Sequence, residues 1–255
     1  MNLTERGLYP YLLMAWIGIA AVVFLLLRFV PAPYGRHARP GWGPALHRTA
    51  GWIVMETPAV LVPIVFFAIS DRRDNAPATV FLALWLLHYV YRAFIYPWRL
   101  TGGHIQMPIS VVMMGFLFNA MNGYLQGRYL FTLGPARAIA WFADPRFLCG
   151  LLLFLGGHIL NRRSDSALRS LRAPGDTGYK ISYGGAFRFV SCPNYLGELV
   201  EWLGWAVLTW SIPGLVFFLW TAANLVPRAR SHHKWYRTRF PDYPPARRAI
   251  VPFIY

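Results

Sequence analysis

The sequence predicts an all-α fold, a multi-pass transmembrane helical bundle of seven spans with its N-terminus outside and its C-terminus cytoplasmic. Three observations predict it. Of 255 residues 56% are hydrophobic and only 14% charged, whereas a soluble domain carries about 25% charged residues. Mean hydropathy is positive, at +0.37. The apolar residues also fall into runs close to the ~20 that carry a helix across a bilayer core of about 30 Å.

The runs follow one another with short polar intervals. Tyr11 to Val30 is the first, and it reads as a retained span because no small-residue cleavage site follows it. Gly51 to Ile69 is the second, and it contains Glu56, Pro58 and Pro63. Thr79 to Trp98 holds His88 and Arg92, and Met107 to Leu125 holds Asn119 and Asn122. Phe147 to Leu160 is shorter and apolar throughout. From Tyr195 to Leu225 the chain has the length of two short spans, with Ser211-Ile212-Pro213-Gly214 as a tight turn between them.

Loop charges orient this arrangement. With seven spans, 17 Lys and Arg residues fall on the side of Arg48, the loop after the fifth span and the C-terminal tail, and 6 on the other. The positive-inside rule then makes the tail cytoplasmic. The formal net charge of +15 belongs to these loops and to anionic head groups or a phosphorylated ligand. No nucleic-acid-binding motif accompanies it, so nucleic acid is not an expected partner.

Ionisable side chains within spans are costly and are functional candidates by default. Glu56 lies in Trp52-Ile53-Val54-Met55-Glu56-Thr57-Pro58, either as a catalytic group or as an interhelical packing partner. Tyr89, Arg92 and Tyr96 fall on one face of a regular helix, as a site or as an aromatic belt with a snorkelling arginine. The polar stretch after the fifth span reads as a loop. It interleaves arginines with Asn161, Asp165, Asn194, Glu198 and Glu201. Amides and carboxylates suit ribose hydroxyls and a carboxamide, while arginines suit phosphates. Arg228, His232, His233 and Tyr236 add to these at helical spacing, and together they can form a dinucleotide cradle.

Other chemistries lack their motifs. There is no Gly-x-Gly-x-x-Gly after a strand and no Walker sequence. The seven histidines do not form the clustered boxes of a di-iron oxygenase, and the two cysteines, Cys149 and Cys192, have no metal spacing. No metal is expected.

Met55-Glu56-Thr57-Pro58, His88 to Phe94, Leu125-Gln126-Gly127, the stretch from Asn161 to Glu201 and the ending from Arg228 to Tyr255 closely resemble the steroid 5α-reductases. Pro193-Asn194-Tyr195-Leu196-Gly197-Glu198 is also similar to a motif of sterol double-bond reductases and isoprenylcysteine methyltransferases; the pair Glu56 and Tyr89 singles out the 5α-reductase branch. Ser191-Cys192-Pro193 stands where the broader group often has Arg-His-Pro.

The resemblance implies a single membrane domain over residues 1–255, with substrate-side helices about 1–130 and cofactor-binding helices and loops about 146–255. It implies that Glu56 and Tyr89 hydrogen-bond a steroid ketone. It also implies that Asn161, Asp165, Arg172, Tyr179, Asn194, Glu198, Arg228, His232 and Tyr236 surround NADPH. The expected activity is reduction of the 4,5 double bond of 3-oxo-4-ene steroids by a monomer in the endoplasmic reticulum or bacterial inner membrane. The chemistry agrees: hydride addition beta to a ketone puts negative charge on its oxygen, where a tyrosine hydroxyl and a carboxylic acid can donate. The alternatives are a sterol double-bond reductase, an S-adenosylmethionine-dependent methyltransferase and a non-catalytic lipid-binding membrane protein.

Overall fold

The computed structural model describes residues 4–30, 41–100, 106–171 and 178–255. Arg172, named above among the cofactor candidates, lies outside these residues. Among the described residues there are seven α-helices: α1 Glu5–Phe29, α2 Arg48–Ala68, α3 Ala76–Val90, α4 Ile109–Arg128, α5 Pro145–Ser170, α6 Pro193–Thr209 and α7 Ile212–Arg239. Each of the first five predicted apolar runs overlaps one of them, and the run from Tyr195 to Leu225 overlaps two, α6 and α7. Four helical segments are long and apolar enough to cross a membrane, namely Glu5–Phe29, Arg48–Ala68, Ala76–Arg99 and Ile212–Arg239. The chain is an integral membrane protein.

The chain divides into two compact units, one from the described residues of Met1–Ala32 and Cys149–Tyr255, the other from those of Pro33–Leu148. They are called here the C-terminal unit and the central unit.

In the central unit a short antiparallel pair, β1 Ala45–His47 with β2 Gln106–Pro108, joins the segments that lead into α2 and α4. Helix α4 turns small residues toward α2. A Cβ on Gly123 would lie 3.1 Å from Val62 Cβ, one on Gly127 3.2 Å from Phe66 Cβ, and one on Gly115 would run into Met55. The order of these contacts shows that α2 and α4 run in the same direction. Pro63 has no N–H for the carbonyl of Ala59 one turn back, and the indole of Trp85 on α3 donates to that carbonyl at 2.7 Å. The proline therefore tolerated inside α2 also docks α3. Asn75 caps α3 by accepting from Ala78 N at 2.9 Å.

The third predicted span is not one regular helix. After Val90 the chain makes a π-helical turn over Tyr91–Ile95, in which Tyr96 N–H bonds Tyr91 O, and then a 3-10 turn over Tyr96–Arg99. Pro97 supplies no amide for a regular ladder, and the widened turn shifts the register of the Tyr89, Arg92 and Tyr96 face.

In the C-terminal unit α5 and α6 meet backbone to backbone. A Cβ on Gly204 would sit 2.7 Å from Gly150 O, and one on Gly197 2.8 Å from Gly157 O, so only glycine admits this approach. These pairings run in opposite senses along the chain, so α5 and α6 are antiparallel. The expected loop from Asn161 is instead a continuation of α5 to Ser170. Ala167, Leu168 and Arg169 are good helix formers, and no proline intervenes before Pro174. The turn between α6 and α7 falls slightly earlier than expected. Trp210 takes the left-handed conformation (φ 46), Ser211 Oγ accepts from Gly214 N at 3.1 Å, and Pro213 enters the first turn of α7. Helix α1 packs on α7, with Trp220 Nε1 donating to Trp16 O at 2.9 Å.

Candidate functional site

Glu56 sits at the middle of α2, 8% exposed, and its partners come from the neighbouring helices. Asn119 Nδ2 on α4 donates to Glu56 Oε2 at 3.2 Å and to the carbonyl of Met55 at 2.8 Å. Arg92 Nε lies 3.9 Å from Glu56 Oε1, an ion-pair distance beyond hydrogen-bond reach. The Arg92 guanidinium lies over two rings, Trp52 at 4.8 Å and Tyr96 at 4.9 Å, and Trp52 Nε1 donates to Arg92 O at 3.1 Å. This box of aromatic faces and hydrogen bonds is where an arginine inside a span is tolerated.

Tyr89, 4% exposed, lies in the last turn of α3 with its ring 4.8 Å from Trp85 and 4.9 Å from His88. The carboxyl of Glu56 and the phenol of Tyr89 thus both sit inside the central unit. Both are groups that can donate to, or orient a donor toward, an oxygen that gains charge.

The other set lies on α5, α6 and α7 of the C-terminal unit. Asn161 Nδ2 donates to Asn194 O at 3.0 Å, and Asn194 Nδ2 donates to Asp165 Oδ1 at 3.0 Å, so three of the predicted residues form one hydrogen-bonded chain across α5 and α6. Asn161 and Asp165 share a face because α5 continues through them. Glu198 lies one turn after Asn194 and is half-buried. On α7, Arg228 is tied to Asn224 Oδ1 at 3.0 Å and lies over Tyr195 at 5.5 Å, whose ring meets His232 edge-on at 5.7 Å. Tyr236 is buried against Tyr243 at 5.3 Å and Trp235 at 5.3 Å, and Trp235 meets Tyr179 at 5.0 Å. All of the predicted cofactor residues except Arg172, which lies outside the described residues, fall in this one unit.

Some pairings were not read from the sequence. Glu201 is fully buried and its Oε1 is 2.9 Å from His158 Nδ1. The C-terminal tail is strapped to the segment before α6. Ser191 N bonds Arg248 O at 2.8 Å, Arg247 donates to Ser182 O at 2.7 Å, and Ser191 Oγ lies 2.6 Å from both His233 Nδ1 and Tyr243 Oη. Burial holds the Tyr243 phenol above its usual range, against the opposing effect of its bonds to Ser191 and Arg247. For Asn119, the available signal was its place in the series Gly115, Asn119, Gly123 and Gly127, four residues apart on the stripe that faces α2.

The family model described as 3-oxo-5-alpha-steroid 4-dehydrogenase matches residues 105–255. The chain belongs to that family. Across its full length this member of the steroid 5α-reductases is 42% identical over 259 residues to steroid 5-alpha-reductase DET2 of Gossypium hirsutum, covering 99% of both chains. It is 41% identical over 258 residues to 3-oxo-5-alpha-steroid 4-dehydrogenase 1 of Bos taurus, covering all of both. To the Homo sapiens protein of that name it is 40% identical over 256 residues, covering 100% of this chain and 98% of the relative. As a member of this dehydrogenase family the chain is an oxidoreductase. Its central-unit part before residue 105, which holds Glu56 and Tyr89, lies outside the family model's match but inside the full-length similarity.

Proposed function

We propose that this chain is a membrane-embedded, NADPH-dependent reductase of the 4,5 double bond of 3-oxo-4-ene steroids, yielding the 5α-reduced ketone. One observation carries the reading: a carboxyl and a phenol, Glu56 8% and Tyr89 4% exposed, are kept inside a unit of apolar helices. The full-length similarity to proteins named for this reaction supports it. Tyr89 and Glu56 meet the ketone oxygen and stabilise the enolate charge that gathers there in the transition state, where fixed donors in a water-poor site act most strongly. The same burial excludes water from the enone.

The donor set of the C-terminal unit fits a dinucleotide. Arg228 and Arg172 suit phosphate oxygens. The amides and carboxyls of Asn161, Asp165, Asn194 and Glu198 suit ribose hydroxyls and a carboxamide, and Tyr179, His232 and Tyr236 supply aromatic surface. When bound, NADPH supplies the hydride. The chain's residues hold and orient the two ligands, and the whole of residues 1–255 acts as one reductase domain.

Seven crossings, with the tail cytoplasmic, are part of this reading. Helices two apart in the chain should run the same way and consecutive ones oppositely; α2 with α4 and α5 with α6 do so. The protein is read as a monomer in the endoplasmic reticulum or a bacterial inner membrane.

The test is incubation of the detergent-purified protein with NADPH and a panel of 3-oxo-4-ene steroids, with products read by mass spectrometry. A gain of two hydrogens giving the 5α isomer is expected, as is thermal protection by NADPH and not by S-adenosylmethionine. Steroid binding indifferent to NADPH with no product, or protection by S-adenosylmethionine alone, would overturn the reading.

A further inference from the structure

We infer that Asn119 is a positioning residue for Glu56, setting which carboxyl oxygen works on the substrate. The inference rests on the reading that Glu56 meets the steroid ketone. Asn119 is 5% exposed, on the stripe of α4 that Gly115 and Gly123 bring against α2. Its amide nitrogen reaches two acceptors of α2: Met55 O at 2.8 Å and Glu56 Oε2 at 3.2 Å. These belong to consecutive residues, one main-chain and one side-chain. The amide therefore references the carboxyl to the backbone of the helix that carries it, and holds it in one rotamer.

The chemistry follows from which oxygen is tied. In a carboxylic acid the carbonyl oxygen is the good acceptor and the hydroxyl oxygen the donor. An N–H directed at Oε2 makes Oε2 the carbonyl oxygen and assigns the hydroxyl, and hence contact with the ketone, to Oε1. Arg92 faces Oε1 from 3.9 Å, too far to take over the orienting bond, and its guanidinium is committed to the faces of Trp52 and Tyr96. Without Asn119 the carboxyl loses its tether to the backbone of α2, and the donor is aimed less well at the oxygen on which charge develops. Misplacing a reacting group by about 1 Å can cost about 10²-fold in rate.

The test is a double-mutant cycle in the full-length protein. Asn119→Leu keeps the volume and removes the amide. In the parent it is expected to lower kcat by about 10- to 100-fold, with NADPH thermal protection retained. In the Glu56→Met background, where no side-chain donor remains to be aimed, the same change is expected to alter kcat by less than about 3-fold, the non-additivity expected of residues in contact. Asn119→Ala, smaller and equally without the amide, repeats the cycle should the leucine variant not fold. An equal loss in both backgrounds overturns the inference, because a purely structural role is blind to the carboxyl. Near-normal turnover in the Asn119 variants with an inactive Glu56→Ala also overturns it, leaving the role of Glu56 intact. Near-normal turnover in Glu56→Ala removes the reading beneath it and the inference together.

Discussion

Tyr89→Phe deletes one hydroxyl from a ring that stays packed 4.8 Å from Trp85. Its expected effect is therefore the loss of a single transition-state donor, about 10²- to 10³-fold in kcat or about 2.7 to 4 kcal/mol. Glu56→Gln keeps the shape and an amide donor, so it should be milder than Glu56→Ala, which also opens a cavity between α2 and α4. Steady-state turnover separates the three variants, and NADPH should still raise the melting temperature of each, because both residues lie in the central unit and the cofactor candidates in the other. Unchanged turnover in both Tyr89→Phe and Glu56→Ala would remove them from the reaction. A second residue-scale prediction concerns the arginines. NADPH should be preferred over NADH by kcat/KM, since a guanidinium recognises a 2′-phosphate by charge-assisted bonds, and of Arg172→Ala and Arg228→Ala the variant that raises KM for NADPH alone identifies the arginine that does so. Equal efficiency with the two cofactors in the parent protein removes the premise. At this scale Glu56 was legible because a carboxyl inside an apolar run demands a reason. Its partner was not, because an asparagine sixty-three positions away announces no contact.

The element scale is set by glycine. Gly204 stands where a Cβ would press within 2.7 Å of Gly150 O and closer still to the backbone of Phe154. The neighbour is main chain, so no side-chain rotation relieves the clash, and Gly204→Ala must move α5 away from α6. A cost of about 1 to 3 kcal/mol is expected, read as a lower melting temperature. The same displacement stretches the chain from Asn161 through Asn194 to Asp165, so NADPH affinity should fall with stability. Gly156, on the other side of α5 with open space around it, is the control: Gly156→Ala should leave both unchanged or slightly improved. Helix identity and approximate extent were readable from hydropathy because a lipid-facing helix must be apolar along its whole length. The ends were less so. Helix α5 outruns its apolar part by nearly three turns, and the π-helical turn at Tyr91–Ile95 has no hydropathic mark.

For the whole molecule, the tail strap links stability to alkaline pH. Because burial raises the Tyr243 pKa in the folded state above the phenol value, its protonated form is favoured by folding. Its contribution is fully present below the unfolded pKa of about 10 and is lost as pH rises through the higher folded value. Thermal melts against pH should therefore show an alkaline loss that Tyr243→Phe reduces, and the two proteins should differ in slope only above about pH 10; parallel profiles there would contradict this. Reporter fusions at the two termini test the crossing count: opposite compartments are expected, and a common compartment would exclude an odd number of spans. Sequence alone determined the helical membrane class, the order of the apolar runs, the family and its reaction type. These depend on composition, local periodicity and motifs, which a chain carries without reference to distant contacts. Tertiary structure decided that α1 packs on α7, that Asn119 and Arg92 face the carboxyl of Glu56, that Trp85 occupies the carbonyl left by Pro63, and that Ser191 gathers His233 and Tyr243. Each joins residues far apart in the chain through specific donors and acceptors, and in an apolar medium almost any of several helix pairings satisfies hydropathy, so only the packed geometry selects among them.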